Sequence, residues 1–207
     1  MDALVTYGLI AVTVIVSWLA FERPRLMDRL LLWPPAIARS HQYDRLATHG
    51  FVHADWPHLI FNMITLYFFG RQIEAVVSQL IGPLGYPLFY VSAIVVAILP
   101  SYLKHRQDGR YRSLGASGAV SAVLFAFVLL APWSTIYIFI VPVPAIVYAV
   151  GFVAYSFWAD KQGGDNVNHV AHLAGAAYGV LFLLLLEPRV GPHFLQALGN
   201  PQFRPFG

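Results

Sequence analysis

The sequence predicts an all-α membrane protein: one domain over residues 1–207, built as a bundle of six spanning helices with a long first connection. Three observations carry this. The chain is 58% hydrophobic and only 11% charged, with a mean hydropathy of +0.62, whereas a soluble domain carries about 25% charged residues to cover its surface. The apolar residues are gathered into uncharged runs rather than spaced periodically. Six runs approach the length of about 20 residues that a helix needs to cross hydrocarbon while bonding its own backbone.

The first run, residues 3–21, stops at Glu22, Arg23 and Arg25. It lacks a basic leading segment and a small-residue cleavage site, and further spans follow, so a retained helix is expected. The connection after it reaches about Trp56 and carries a semi-apolar patch, residues 30–38, interrupted by Pro34 and Pro35. That patch is too short to cross and suits the interface. The second span, 56–75, opens on Trp56 and Pro57, proline being tolerated in a first helical turn, and Arg71 and Glu74 lie at its far end. The third, 84–103, follows a break at Gly82, Pro83 and Gly85. Between Arg112 and Asp160 there is no charge, a stretch too long for one crossing. Pro132 divides it into a fourth span, 114–131, and a fifth, 135–158. The sixth, 167–186, closes at Glu187, Pro188 and Arg189.

Zero cysteines exclude disulfides, thiolate metal sites and a cysteine nucleophile. The net charge of +3 and pI near 9.3 come from residues in short loops rather than along one helix face, which argues for interfacial anchoring and against nucleic acid. With six crossings, the connections after spans one, three and five share a side. They hold Arg23, Arg25, Arg29, Arg39, Arg45, Lys104, Arg106, Arg110, Arg112 and Lys161, so the positive-inside rule places them in the cytoplasm.

Polar side chains inside spans are costly and mark candidate sites. Ser117 lies in Gly115-Ala116-Ser117-Gly118 at a helix start, where free N–H groups and the positive end of the macrodipole favour an oxyanion. A serine among small residues ordinarily only lets two helices touch. His172, however, is followed by Gly175 and Gly179 on the same helix face, and such small-residue faces let backbones approach closely in a membrane. Packing that face on the start of the fourth span brings the imidazole within hydrogen-bond reach of Ser117. His169, three residues earlier, is the secondary candidate base. His58 and Asn62, four residues apart, share a face and can both donate, as acyl transfer requires where the tetrahedral oxyanion forms. Metal binding is the competing use of His49, His53, His58, His169 and His172. No HExxH pattern, cysteine or suitably spaced carboxylate completes such a site, so no metal is expected.

These residues resemble those of the rhomboid intramembrane serine proteases, over most of the chain. The matching motifs are His58-Leu59-Ile60-Phe61-Asn62 in the second span, Gly115-Ala116-Ser117-Gly118 opening the fourth, and Ala171-His172-Leu173-Ala174-Gly175 with Gly179 in the sixth. Each is short; three in order on the right three spans form a specific pattern. The resemblance implies a rhomboid-like bundle with a membrane-embedded first loop, Ser117 as nucleophile, and His172 as its base without a third carboxylate. His58, Asn62 and the Ser117 backbone N–H would form the oxyanion hole. Arg45 would anchor the first loop, His53 falls five residues before His58, and Gly115, Gly118, Gly175 and Gly179 would support the pair. It implies no cofactor or metal, and partners that are membrane-anchored proteins with a transmembrane segment, reached through the lipid bilayer of a prokaryotic cell membrane. Three departures stand out. Asp44 precedes Arg45 where an aromatic is usual, Ser121 sits one turn after Ser117 where many relatives carry an aromatic against the histidine, and the charge bias reverses the family's orientation. Two rival readings are a non-catalytic client-binding member of the same fold and a small-solute transporter. The shortage of acidic residues in the spans counts against ion coupling in the latter.

Overall fold

Backbone groups without water must bond one another, and the computed structural model accordingly consists of helices and one hairpin. It describes residues 3–138, 140–164 and 167–202. Helix α1 (Leu4–Glu22) leads into three short helices of the first connection, α2 (Pro24–Leu30), α3 (Pro34–Ser40) and α4 (Arg45–Thr48), the last continued by a 3₁₀ turn at His49–Phe51. Then come α5 (Trp56–Thr65), a π turn (Leu66–Gly70), α6 (Arg71–Ile81), α7 (Gly85–Lys104) and α8 (Ser117–Leu130). Strands β1 (Thr135–Ile138) and β2 (Val141–Pro144) precede α9 (Ala145–Gln162), α10 (His169–Leu186) and α11 (Val190–Gly199). The helical membrane character expected from the sequence holds. By length and composition α1, α7 and α10 can cross a bilayer, while α8 is apolar but shorter.

Boundaries differ from the sequence expectation in three places. The second span does not end near residue 75: α5, the π turn and α6 run on without a break to Ile81, where Gly82 at φ 83° stops them. Glu74 is therefore not at a water-facing helix end. It is buried, and its carboxylate accepts from the N–H groups of Val5 (3.0 Å) and Thr6 (2.7 Å) and from the Thr6 hydroxyl (2.6 Å), closing the donor end of α1. The fourth helix opens at Ser117 rather than residue 114, because Gly115 sits at φ 117°, outside the helical region. The fifth span does not begin at residue 135. Residues there form the antiparallel hairpin, with Ile136 opposite Val143 and Ile138 opposite Val141, since Pro142 and Pro144 cannot donate in a helix interior and the Thr-Ile-Tyr-Ile run is β-prone. Phe139 of that expected span, and residues 1–2, 165–166 and 203–207 of the expected domain, lie outside the described residues.

The centre of the bundle is α8, whose residues from Gly118 to Leu129 are all buried. A helix apolar all round belongs inside a larger assembly, and α10, α7, α9 and the α5–α6 rod surround it. Its closest neighbour is α10. A Cβ placed on Gly175 would strike the carbonyl of Gly118, and one on Gly179 the carbonyl of Ala122, so the two helices run parallel with their backbones in contact.

Candidate active site

The site grows from the turn that opens α8. Gly115 takes φ 117°, which an L side chain rarely adopts, and a Cβ there would lie 2.6 Å from Cε1 of His58. The first connection holds this turn at three successive points. Leu32 and Ser113 form an isolated antiparallel bridge (2.9 and 3.2 Å), the Gly115 N–H donates to the His49 carbonyl (2.9 Å), and the Ala116 N–H donates to Nε2 of His53 (3.2 Å). Ser117 then begins the helix, so its N–H is among the first four without an intrahelical partner.

On α10, His172 lies one turn after the helix start. Its Nε2 is 2.8 Å from Oγ of Ser117, which the glycine contact between α8 and α10 permits. Phe152 of α9 lies 5.8 Å from the His172 ring at 32°, and His169 lies 5.8 Å away on another side at 85°. Ser121 offers no ring there, and the aromatic beside His172 is Phe152, from another helix. His169 is itself edge-on to Tyr155, and the ring bonded to the serine is that of His172.

Ser117 and His172 line a cavity of about 960 Å³ together with His58, Asn62, His49, Ser101 and His169; Lys104, Arg110, Arg112 and Asp160 line it as well. His58 and Asn62 therefore reach the same cavity as the pair. The Asn62 amide donates to the His58 carbonyl (2.9 Å) and the His58 N–H to the Asp55 carboxylate that caps α5 (2.8 Å). Arg45 lies outside the cavity lining. It is buried, and its guanidinium donates to the carbonyls of Asp28 and Leu31 and to Gln42, each at 2.7 Å, gathering α2 to α4 around one charge. Asp44, in place of an aromatic, makes an exposed ion pair with Arg29 at 2.6 Å. That guanidinium holds its carboxyl below the usual range, although such surface pairs contribute only about 0–1 kcal/mol.

Two buried histidines brace the site in neutral form. The carbonyl of Arg45 can only accept, so Nδ1 of His49 carries the proton donated to it at 3.1 Å. Burial pulls His49 down to about 4 and His53 to about 3. Both nitrogens of His53 are engaged, Nδ1 with Ser17 at 3.0 Å and Nε2 with the Ala116 N–H. Among the described residues no three His, Asp or Glu side chains are grouped to hold a metal.

Sequence reasoning missed Asn168. Its Oδ1 accepts from the Ala171 N–H (3.0 Å) and the Ser101 hydroxyl (2.9 Å), and its Nδ2 donates to the hydroxyls of Tyr111 (2.9 Å) and Ser113 (3.2 Å). One side chain thereby caps α10, reaches α7 and grips the segment leading into α8. The signal was present: an asparagine directly before an apolar run is a helix N-cap.

A membrane bundle in which a helix-opening serine shares a hydrogen bond with a histidine of a second helix, at a cavity that His58 and Asn62 also line, belongs to the class of serine–histidine membrane proteins. Residues 40–189 match the Rhomboid domain, and the chain belongs to the rhomboid family. It is 32% identical over 180 residues to RHOMBOID-like protein 12, mitochondrial, of Arabidopsis thaliana, covering 81% of this chain and 53% of that protein. It is 34% identical over 153 residues to Rhomboid-like protein 11, chloroplastic, of the same plant, covering 69% and 52%. It is 29% identical over 184 residues to Presenilin-associated rhomboid-like protein, mitochondrial, of Homo sapiens, covering 85% and 46%. The chain spans about half the length of these relatives. Their names are mitochondrial and chloroplastic, and they lend no support to the prokaryotic cell membrane expected from the sequence.

Proposed function

We propose that the chain is an intramembrane serine endopeptidase that cleaves membrane-anchored proteins. Rhomboid family members are generally such proteases, and some are inactive. The observation that carries the reading is the 2.8 Å contact between Ser117 Oγ and His172 Nε2, which lies within the range for proton transfer from nucleophile to base. In this reading His172 takes the Ser117 proton as Oγ attacks the scissile carbonyl, then returns it to the leaving amine. Water entering the cavity hydrolyses the acyl-enzyme. The Ser117 N–H, His58 and Asn62 stabilise the oxyanion, each donor contributing on the order of 10²–10³ in rate. The six-span bundle belongs to the same proposal: α1, the α5–α6 rod, α7, α8, α9 and α10 cross, and the first connection lies embedded beside the cavity as one domain with them. Substrates are proteins with a transmembrane segment, presented from the lipid.

A fluorophosphonate probe tests the core of this. The wild type should be labelled, Ser117→Ala should not, and His172→Ala should label at least about 10²-fold more slowly. Labelling that persists in Ser117→Ala removes the nucleophile assignment.

A further inference from the structure

The hairpin of β1 and β2 lies at the far end of α8 and α9 from the serine, and nothing in the proposed chemistry uses it. We propose that its tip is inserted into the lipid leaflet opposite the site, as an interfacial anchor. Four features point there. First, its level: α8 and α10 run parallel with Gly118 against Gly175 and Ala122 against Gly179, and the same register carried forward sets Leu130 level with Glu187. Glu187 and Arg189, paired at 2.6 Å, mark the water edge of α10, so the hairpin starts at the membrane boundary. Trp133, beside it, donates its indole N–H to the Ala197 carbonyl at 2.9 Å, the amphipathic placement favoured at interfaces.

Second, the described residues of the tip are apolar or aromatic and uncharged. Ile140 is 89% exposed, and Tyr137 and Val141 are exposed as well, with no charge anywhere between Arg112 and Asp160. Third, the outward edge of β2 is stripped of donors, leaving only the carbonyls of Pro142 and Pro144 on that side. In an antiparallel ladder, residues alternate between those bonded to the partner strand and those whose N–H faces outward. Pro142 and Pro144 have no N–H, so Val141 and Val143 are the bonded positions and both outward positions of β2 are prolines. That edge presents no donor, where each unsatisfied donor in lipid costs several kcal/mol. An edge meant for water is protected by charge as readily as by proline, and here there is none. Fourth, β2 continues directly into α9, whose Val147 and Val150 are exposed apolar residues, so the apolar surface is continuous from helix to hairpin.

The absence of cysteine makes the test direct. Single thiols are introduced by Ile140→Cys and Tyr137→Cys, with Lys161→Cys at the opposite end of α9 as the water-facing control, and labelled with bimane in phosphatidylcholine vesicles. Circular dichroism checks that each variant keeps its helices. Labels at 140 and 137 should emit to the blue of the control, be quenched by doxyl lipids, and be quenched by iodide several-fold less than the label at 161. Iodide quenching equal to the control overturns the proposal. Protection from both quenchers overturns it too, in favour of a protein cover over the tip.

Discussion

At the scale of the residue, His53 has no spare bonding capacity. A backbone N–H can only donate, so Nε2 accepts from Ala116 and the ring proton sits on Nδ1, directed to Ser17, whose hydroxyl bonds the Phe51 carbonyl at 3.1 Å. A proton added to Nε2 would displace the turn before Ser117. With folded values of about 3 for His53 and about 4 for His49, against about 6.5 in an unfolded chain, the unfolded state takes up protons first as pH falls. Neither ring affects stability above about pH 6.5, and each costs on the order of 2 kcal/mol by pH 5. The unfolding midpoint should therefore drop steadily from pH 7 to pH 5, and His53→Gln, which keeps an acceptor and a donor, should flatten part of that slope. An unchanged slope would sink the assignment. Asn168→Ala, which strands the hydroxyls of Ser101, Tyr111 and Ser113 and uncaps α10, should cost about 1–3 kcal/mol and slow fluorophosphonate labelling about tenfold by loosening the helix that carries His172. Labelling at the wild-type rate would confine Asn168 to a purely structural role.

At the scale of the element, the seam between α8 and α10 decides whether serine and histidine can meet. Gly175→Val must push the helices apart, since even the Cβ overlaps the Gly118 carbonyl; the expected result is a loss of about 1–3 kcal/mol and loss of probe labelling in protein that remains helical. Retained labelling would show that the pair forms without this contact. Part of this was readable in advance. The glycines three and seven residues after His172 announce a flat helix face, and runs ending in charge delimit α1, α7 and α10 to within about two residues of the expected spans. The start of α8 was not readable, because it depends on the φ of Gly115 rather than on polarity. Nor was the hairpin, because Thr-Ile-Tyr-Ile and Val-Pro-Val-Pro have the same apolar composition as a span and differ only in backbone geometry. Phe152 escaped for a third reason: it meets His172 across two helices, and no spacing along the chain encodes that contact.

At the scale of the whole molecule, the bundle is tied at both ends by different chemistry. At one end the first connection, Asn168 and the four bonds at residues 113, 115 and 116 hold the site. At the other, Glu74 takes the first free N–H groups of α1 from a helix 68 residues further along, a charge-assisted cap worth about 1.5–3 kcal/mol. α1 is hydrogen-bonded to the site's bracing residues through Ser17, which meets His53 and the Phe51 carbonyl roughly 16 Å along the axis from Thr6 at 1.5 Å per residue, so the two ties are expected to act independently. Glu74→Ala should therefore lower the thermal midpoint as α1 detaches from α6, while below that midpoint the rate of Ser117 labelling stays within about twofold of wild type, as distant sites add without coupling. Thr6→Val, which removes only the hydroxyl partner, should give a smaller shift in the same direction. If Glu74→Ala instead slows labelling in parallel with its loss of stability, α1 transmits strain along its length and the two ends are one cooperative unit.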